Sequence, residues 1–358
     1  METMERKIHW RILEKRRETA EAATLVLAAE DGQTVRYHPG QYLSFIRQIQ
    51  GKEERRAYSF SSCPGYDGRP AITVKRIPNG AFSNWLLHTC EPGDRLLSGR
   101  PASRFLRPAT APAQLVFVAA GSGITPIFSQ LKWLLELNNF PETAVTLYFA
   151  NRDSANTIFK KTVHRWIASF PNRFACTYLF SREKGAAHAL YRHLSNNLFE
   201  KLLLERLGEH PGAKQRANTH FYLCAPEALM RIAQMTLRVL DYPEANIHRE
   251  NFVPDTRIKP REIDTARKHS IVAAGPDGGR IEFDIFHGET ILNGALRQGI
   301  ALPYTCKTGV CFTCLARCTK GKVEVQFSDH TKKEGPGALV NTCIGYPVSD
   351  SVEIHYES

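Results

Sequence analysis

The sequence predicts a multidomain chain of three folded units in series: an antiparallel β-barrel over residues 1–110, an α/β unit on a parallel sheet over 111–253, and a compact α+β unit over 264–358, with 254–263 as a linker. Three observations predict it. Short β-type runs broken by Gly/Pro turns fill the first part, and apolar strands alternating with amphipathic helices fill the second. In the third, Cys306, Cys311, Cys314 and Cys318 crowd into thirteen positions of PYTCKTGVCFTCLARC. At 358 residues the chain also exceeds what one core supports.

In the first unit ATLVLAAE, QYLSFIRQI, RRAYSFSS and PAITVKRI read as strands, separated by HPGQ, CPGYDG, PNG and EPGD. One helix, AFSNWLLHT, is expected there. In the second unit LVFVAA, AVTLYFA, FACTYLF and HFYLCA are strands. Between and after them TPIFSQLKWLLEL, NTIFKKTVHRWIASF, residues 186–207 and PEALMRIAQMTLRVL read as helices, an alternation that covers both faces of a parallel sheet. VPDTRIKPREI, with two prolines and mixed charge, reads as a connection. Beyond it HSIVAAG and RIEFDIF form a hairpin around PDGG, TILNGALRQG a helix, and KVEVQF and SVEIHYE further strands.

The formal net charge is +11, but the basic residues are dispersed, and from residue 264 onward acids and bases roughly balance. A dispersed upstream excess does not make a nucleic-acid footprint; it suits a 2′-phosphorylated dinucleotide or an acidic protein partner, and equally a solvated surface. No apolar run approaches the roughly 20 residues needed to cross a bilayer. METMERKIHWRILEKRRE lacks the apolar core of a secretory signal, so a cytoplasmic protein with no membrane span is expected. In that reducing compartment clustered cysteines mean metal or catalysis more often than disulfides.

Cys306, Cys311 and Cys314 follow C-x4-C-x2-C, and 28 residues separate the third of them from Cys343. That is the plant-type pattern for a 2Fe-2S cluster, four thiolates on two irons. Gly309 and the neighbouring Thr308 and Thr313 let backbone amides approach the sulfurs. A zinc ribbon wants two C-x2-C pairs, and only one is present. Either Cys318 or Cys343 could supply the fourth ligand. Cys343 is preferred, because Cys318 falls in what reads as an outgoing strand.

With PYTCKTGVCFTC and LVNTCIGYP, the C-terminal segment resembles the β-grasp ferredoxin domain of ferredoxin reductase-like flavoenzymes, and upstream motifs extend the resemblance. Arg56, Ala57, Tyr58 and Ser59 resemble the R-x-Y-S by which these enzymes bind flavin: a tyrosine ring offers a flat face to the isoalloxazine, and a guanidinium neutralises phosphate. The V-K-R beginning at Val74 and Lys75 matches a flavin-side strand, and Gly80 with Ser83 matches a G-x-x-S phosphate element at a helix start. Two phosphate-binding elements imply FAD rather than FMN. Where many relatives have G-P-x-G-x-F this chain has GRPASRF, leaving the part played by Phe105 open.

The run VFVAAGSGITPI places Gly121, Gly123, Thr125 and Pro126 at a strand-to-helix turn; it resembles the family's G-x-G-x-x-P nicotinamide motif. Cys224 in FYLCAPEALM resembles the C-G-P cysteine beside the nicotinamide, with Ala225 for the glycine. Ser181 and Arg182 in SRE resemble a 2′-phosphate site, which implies NADPH, while Glu183 leaves NADH open through a ribose hydroxyl. Glu250 and Phe252 in HRENF fall where the family places an acidic and an aromatic residue near the hydride path. The resemblance thus makes Tyr58, Ser59, Cys224 and Glu250 the candidates at the reacting centre. Its implied activity is that of an NAD(P)H-dependent electron-transfer reductase, NADPH to FAD to 2Fe-2S to an external acceptor. The unit order is similar to reductase components of bacterial multicomponent oxygenases, particularly the phenylacetyl-CoA oxygenase type. Stand-alone ferredoxin or flavin reductases and hybrid-cluster-protein reductases share the layout, and a redox-sensing binding protein would carry the same modules.

Overall fold

The computed structural model describes residues 7–356, except 50, 104, 187, 253–260, 277, 310 and 326–334. Most of the expected linker and the end of the KVEVQF run therefore lie outside the described residues.

The first unit comprises β1 (Ile8–Thr19), β2 (Ala22–Ala29), β3 (Tyr42–Ile49), β4 (Lys52–Ser59), β5 (Ala71–Lys75), α1 (Ala81–His88) and β6 (Arg95–Ser98). Its antiparallel sheet runs β4-β3-β6-β1-β2-β5. A bridge between Phe60 and Ile72 joins the two end strands and closes the sheet into a barrel. Trp10, Leu25, Leu43, Phe45 and Val74 fill it. The Trp10 indole donates to Ser98 Oγ at 2.8 Å, so burying that ring strands no polar group.

The second unit holds β7 (Gln114–Ala120), α2 (Ile124–Leu135), β8 (Ala144–Asn151), α3 (Lys160–Ser169), β9 (Phe174–Phe180), β10 (Ala189–Tyr191), α4 (Asn196–Leu207), α5 (Ala213–Ala217), β11 (Thr219–Cys224), α6 (Glu227–Val239) and β12 (Ile247–Arg249). Every pairing in its sheet, β10-β9-β8-β7-β11-β12, is parallel. β7 reads as unbroken apolar sequence because both its faces are covered. Leu115, Phe117 and Ala119 join the core beneath α2 and α3, and Val116 and Val118 join the one beneath α4 and α6.

Two helices differ from expectation. Residues 186–207 do not form one helix: Ala189–Tyr191 extends as an edge strand on β9, and α4 begins after Ser195, whose Oγ accepts from Leu198 N. The apolar spacing there serves a strand first and a capped helix second. α3 starts at Lys160 rather than at Asn156, because Phe159 takes a left-handed φ of 59° and stacks on Phe128, centroids 3.8 Å apart.

The third unit contains β13 (Asp264–Ala274), β14 (Arg280–His287), α7 (Ile291–Arg297), β15 (Leu315–Lys320), β16 (Val323–Val325), β17 (Leu339–Asn341), β18 (Gly345–Pro347) and β19 (Ser351–His355). The main sheet runs β14-β13-β19-β15-β17, with β16 and β18 paired apart. α7 is capped by Thr290, whose Oγ1 accepts from Asn293 N. A Cβ on Gly294 would come 2.2 Å from Ile285 Cγ2, so glycine lets the helix close onto β14. This is the expected α+β arrangement.

Candidate functional site

The three units meet around one cavity of about 480 Å³, placed where the end strands of the barrel, β4 and β5, face the second and third units. Arg56, Tyr58 and Ser59 line it from β4, Thr73 and Lys75 from β5, Thr125 from α2, and Glu250 from just beyond β12. Cys306 and Cys311 line it from the third unit. Residues up to 270 positions apart thereby share one wall.

Tyr58 is half-buried against Phe45 and Phe82, ring centroids 6.1 and 6.0 Å away, and burial pushes its phenol up, so the ring stays neutral. Ser59 is buried, and its Oγ has no hydrogen-bond partner among the described residues, as suits a hydroxyl that meets a ligand. Arg56 pairs with Glu54 Oε2 at 2.7 Å and stays exposed. Lys75 reaches toward Gly121, where an added Cβ would lie 3.1 Å from Nζ; burial lowers its ammonium, followed in effect by the charge of Arg152.

Gly121 has φ +52°, and Gly123 lies so close to β11 that a Cβ would come 1.9 Å from Cys224 O. These two glycines start α2 with its amides unobstructed, and Thr125 Oγ1 closes the turn on Ser122 O at 2.9 Å. Pro126 sits in the first turn of α2, where no backbone donor is needed. Cys224 is buried at the end of β11; burial, then the Glu250 charge, pushes its thiol well up, so it is neutral and a packing group rather than a thiolate.

Glu250 is half-buried on the cavity wall, with Oε2 shielded and unpartnered among the described residues, and burial pushes its carboxyl up to about 8. Its folded pKa thus lies above its unfolded value of 4.5. A raised acid is stabilising where both states are protonated, and that stability is lost as pH rises from the unfolded toward the folded value. Glu250→Gln should therefore melt higher than the parent by a margin that grows between pH 5 and 8, roughly 1 kcal/mol per pH unit. Melting at pH 5, 6.5 and 8 checks it, and a pH-independent margin would count against the buried acid.

Several motif residues sit differently from their expected roles. The Val74 side chain belongs to the barrel core, because alternation along β5 turns Thr73 and Lys75, not Val74, to the cavity. Ser83 is buried, accepting from Ile77 N at 3.1 Å and donating to Gly80 O at 3.3 Å, so its hydroxyl is spent on the α1 entry turn. Gly80 is held open for that serine, since a Cβ would meet Ser83 Oγ at 2.8 Å. Ser181 and Arg182 lie off the cavity, at the C-terminal end of β9, their amides bonded to Asn151 O and Arg152 O. Glu183 is turned away, accepting from Ser154 N.

The cysteine loop winds through left-handed Lys307, Gly309 and Phe312, which turns its amides inward. Thr308 N donates to Cys306 Sγ at 3.3 Å, Gly309 N to Cys343 Sγ at 3.3 Å, and Cys306 N to Cys311 Sγ at 3.5 Å. The cysteines perturb one another: Cys311 and then Cys343 hold the Cys306 thiol low, Cys306 pushes both of theirs up, and Cys314 adds to the rise, which places all four in one neighbourhood. Cys318 faces elsewhere, its thiol donating to Lys320 O at 3.3 Å. Among the described residues no three His, Cys, Asp or Glu side chains are set around a single ion; a binuclear cluster asks for two thiolates per iron. Thr308 Oγ1 and Asn341 Oδ1 are buried beside the loop without partners among the described residues. Soft donors, inward amides and the unpaired Thr308 hydroxyl fit an iron-sulfur group.

Comparison with known proteins matches three family models: an oxidoreductase FAD-binding domain over residues 9–105, an oxidoreductase NAD-binding domain over 117–235, and a 2Fe-2S iron-sulfur cluster binding domain over 275–348. One component of the 1,2-phenylacetyl-CoA epoxidase of Escherichia coli is 30% identical over 349 residues, covering 95% of each chain. The chain belongs to the ferredoxin reductase-like flavoenzymes with a 2Fe-2S domain. The ferredoxin reductase component of 3-ketosteroid-9-alpha-monooxygenase from Mycobacterium tuberculosis is 29% identical, covering 95% of this chain and 93% of its own. Phthalate dioxygenase reductase, at 19% identity, shares the fold over 98% of both chains with a TM-score of 0.59.

The reductase is accordingly an NAD(P)H-dependent flavin and iron-sulfur oxidoreductase, with FAD, NAD(P)H and a 2Fe-2S cluster as its cofactors. Among its described residues no helix is long and apolar enough to cross a membrane. Motif reading passed over Tyr42, Arg55 and Thr305, which also line the reductase's cavity. The one signal in the sequence was polar residues on the outward face of barrel strands, which reads as solvent exposure until the third unit is seen to cover it.

Proposed function

We propose that this reductase draws electrons from NADPH and passes them through FAD and the 2Fe-2S cluster to an external protein, an oxygenase component. The observation that carries the reading is the shared cavity: Tyr58 and Ser59, Thr125, Glu250, and Cys306 with Cys311 bound the same space. When bound, the flavin accepts a two-electron hydride and releases electrons singly to a one-electron cluster. The chain's residues bind and orient. Tyr58 gives a neutral ring face, Ser59 a free hydroxyl, and Arg56 and Lys75 positive charge for FAD; Gly121, Gly123, Thr125 and Pro126 form the nicotinamide-side turn, with Cys224 packed beneath it. Glu250, held neutral at pH 7 by burial, is able to donate a hydrogen bond to the reacting ring. Cys306, Cys311, Cys314 and Cys343 would hold the irons, Cys318 being engaged elsewhere.

The oxygenase acceptor rests on the relatives, which include components of an epoxidase and a ketosteroid monooxygenase and the glycine betaine monooxygenase reductase subunit of Pseudomonas aeruginosa. NADPH is favoured over NADH because Glu183 is committed to Ser154 N, leaving Ser181 and Arg182 for a 2′-phosphate. Arg182→Ala should lower the NADPH-to-NADH ratio of kcat/KM about 10- to 100-fold, the worth of a charge-assisted hydrogen bond. An unchanged ratio would place the phosphate elsewhere. The proposal itself is tested by the visible spectrum of anaerobically purified protein: flavin bands over broad iron-sulfur absorption, bleaching faster with NADPH than with NADH. A colourless protein, or a yellow one without cluster bands, would overturn it.

A further inference from the structure

The cysteine loop is seated on the barrel by a set of buried polar contacts that no motif records. Tyr42, the first residue of β3, is 3% exposed, and both partners of its hydroxyl belong to the loop: Cys311 O, and Thr313 Oγ1 at 2.6 Å. Thr313 Oγ1 lies 2.9 Å from Thr305 Oγ1, which meets Ser44 Oγ, two residues along β3. A carbonyl cannot donate, so the tyrosine proton goes to Cys311 O. Thr313 Oγ1, which also lies 3.5 Å from Cys311 Sγ, links that contact to Thr305 and Ser44.

Beside it Arg55 of β4, 6% exposed, donates to Tyr304 O at 2.9 Å, lies over the Tyr304 ring at 4.0 Å and pairs with Glu53 at 2.7 Å, while the Tyr304 hydroxyl donates to the same carboxylate. A buried guanidinium is tolerated only when its donors and charge are met, and here a carboxylate of its own strand and a carbonyl of the other unit meet them. Every partner on the loop side falls within residues 304–313, the segment bearing Cys306 and Cys311.

We propose that Tyr42 and Arg55 are positioning residues, a polar clamp that seats the cysteine loop against the flavin-side cavity and thereby sets the rate of internal electron transfer. The clamp acts on a one-electron step, in which one ferric iron is reduced as the reduced flavin is oxidised by one electron, with no heavy-atom bond made or broken. Because the contacts are hydroxyls, a charge pair and a guanidinium over a tyrosine ring, releasing the loop re-solvates polar groups, as in interfaces that dock reversibly. This inference rests on the function proposed above.

The test compares the full-length holoprotein with its Tyr42→Phe and Glu53→Gln variants by hydrogen exchange and by rapid mixing with NADPH. Expected are about tenfold faster exchange of amides within 304–314 in both variants, and cluster reduction about tenfold slower, one lost hydrogen bond's worth each. Glu53→Gln, which does not line the cavity, should keep the parent rate of flavin reduction. The reduced-cluster EPR spectrum and midpoint potential should match the parent's, separating displacement from damage. Parent exchange and rates in both variants would overturn the clamp, as would slowing accompanied by a changed cluster signal. Absence of a cluster-reduction phase in the parent would instead sink the proposed function, leaving the exchange result to judge the clamp alone.

Discussion

Cys311→Ser is expected to lose cluster-dependent electron delivery by at least a hundredfold while NADPH still bleaches the flavin. Cys311 touches Cys306 on one side and is followed by the Thr313 hydroxyl on the other, so its sulfur lies inside the ligand group. Serine puts a shorter, harder oxygen donor there, poorly matched to irons that thiolates hold. The flavin-side residues belong to the barrel and the parallel-sheet unit, whose sheets share no strand with the third unit. Reduction of the flavin by NADPH, followed near its main visible band, should therefore persist as the EPR signal of the reduced cluster disappears. Loss of both would mean that the cluster also holds the rest of the chain in shape.

Gly123→Ala should be as damaging on the opposite side of the path. An alanine Cβ would stand 1.9 Å from Cys224 O and 2.6 Å from Cys224 C, both backbone atoms that cannot swing aside. Either the start of α2 or the end of β11 must move, and each carries part of the nicotinamide-side geometry. Overpacking of this kind costs about 1–3 kcal/mol of stability, but misplacing reacting groups by an ångström costs roughly a hundredfold in rate. The expected result is a loss of about a hundredfold or more in kcat/KM for NADPH, with flavin and cluster still present and reducible by dithionite. Parent-like kinetics would show that this turn is not where the nicotinamide is held.

Much of this architecture is legible in sequence because burial and periodicity coincide. β7 is continuously apolar since helices cover both its faces; of the two glycines that follow it, Gly123 is required by a backbone contact a Cβ would destroy and Gly121 is favoured by its φ of +52°. Legibility fails where one pattern serves two masters. Residues 186–207 have helical apolar spacing, yet the first part adds an edge strand, a tertiary choice that local sequence does not encode. The Val74-Lys75 motif marks the right strand but not the side: alternation gives Val74 to the barrel and Lys75 to the cavity. Tyr42 and Ser44 are the most instructive misses. Leu43 and Phe45 between and beyond them announce a half-buried strand, so their polar neighbours read as solvent-facing. They are instead covered by a loop more than 260 positions away, a relation without any local trace.

β19 comes after every other strand of its sheet in sequence, yet it lies at the middle, between the β13–β14 hairpin and the β15–β17 pair that flanks the ligands. Five residues, Ser351–His355, therefore splice the two halves together. During synthesis the barrel and the parallel sheet have all their strands long before this splice is made, whereas the cysteine-bearing half must wait for it. A chain stopped short of Ser351 would be a yellow protein with a complete nucleotide apparatus and no seam to hold its iron. By this topology metal loading is expected to follow the assembly of the two upstream units.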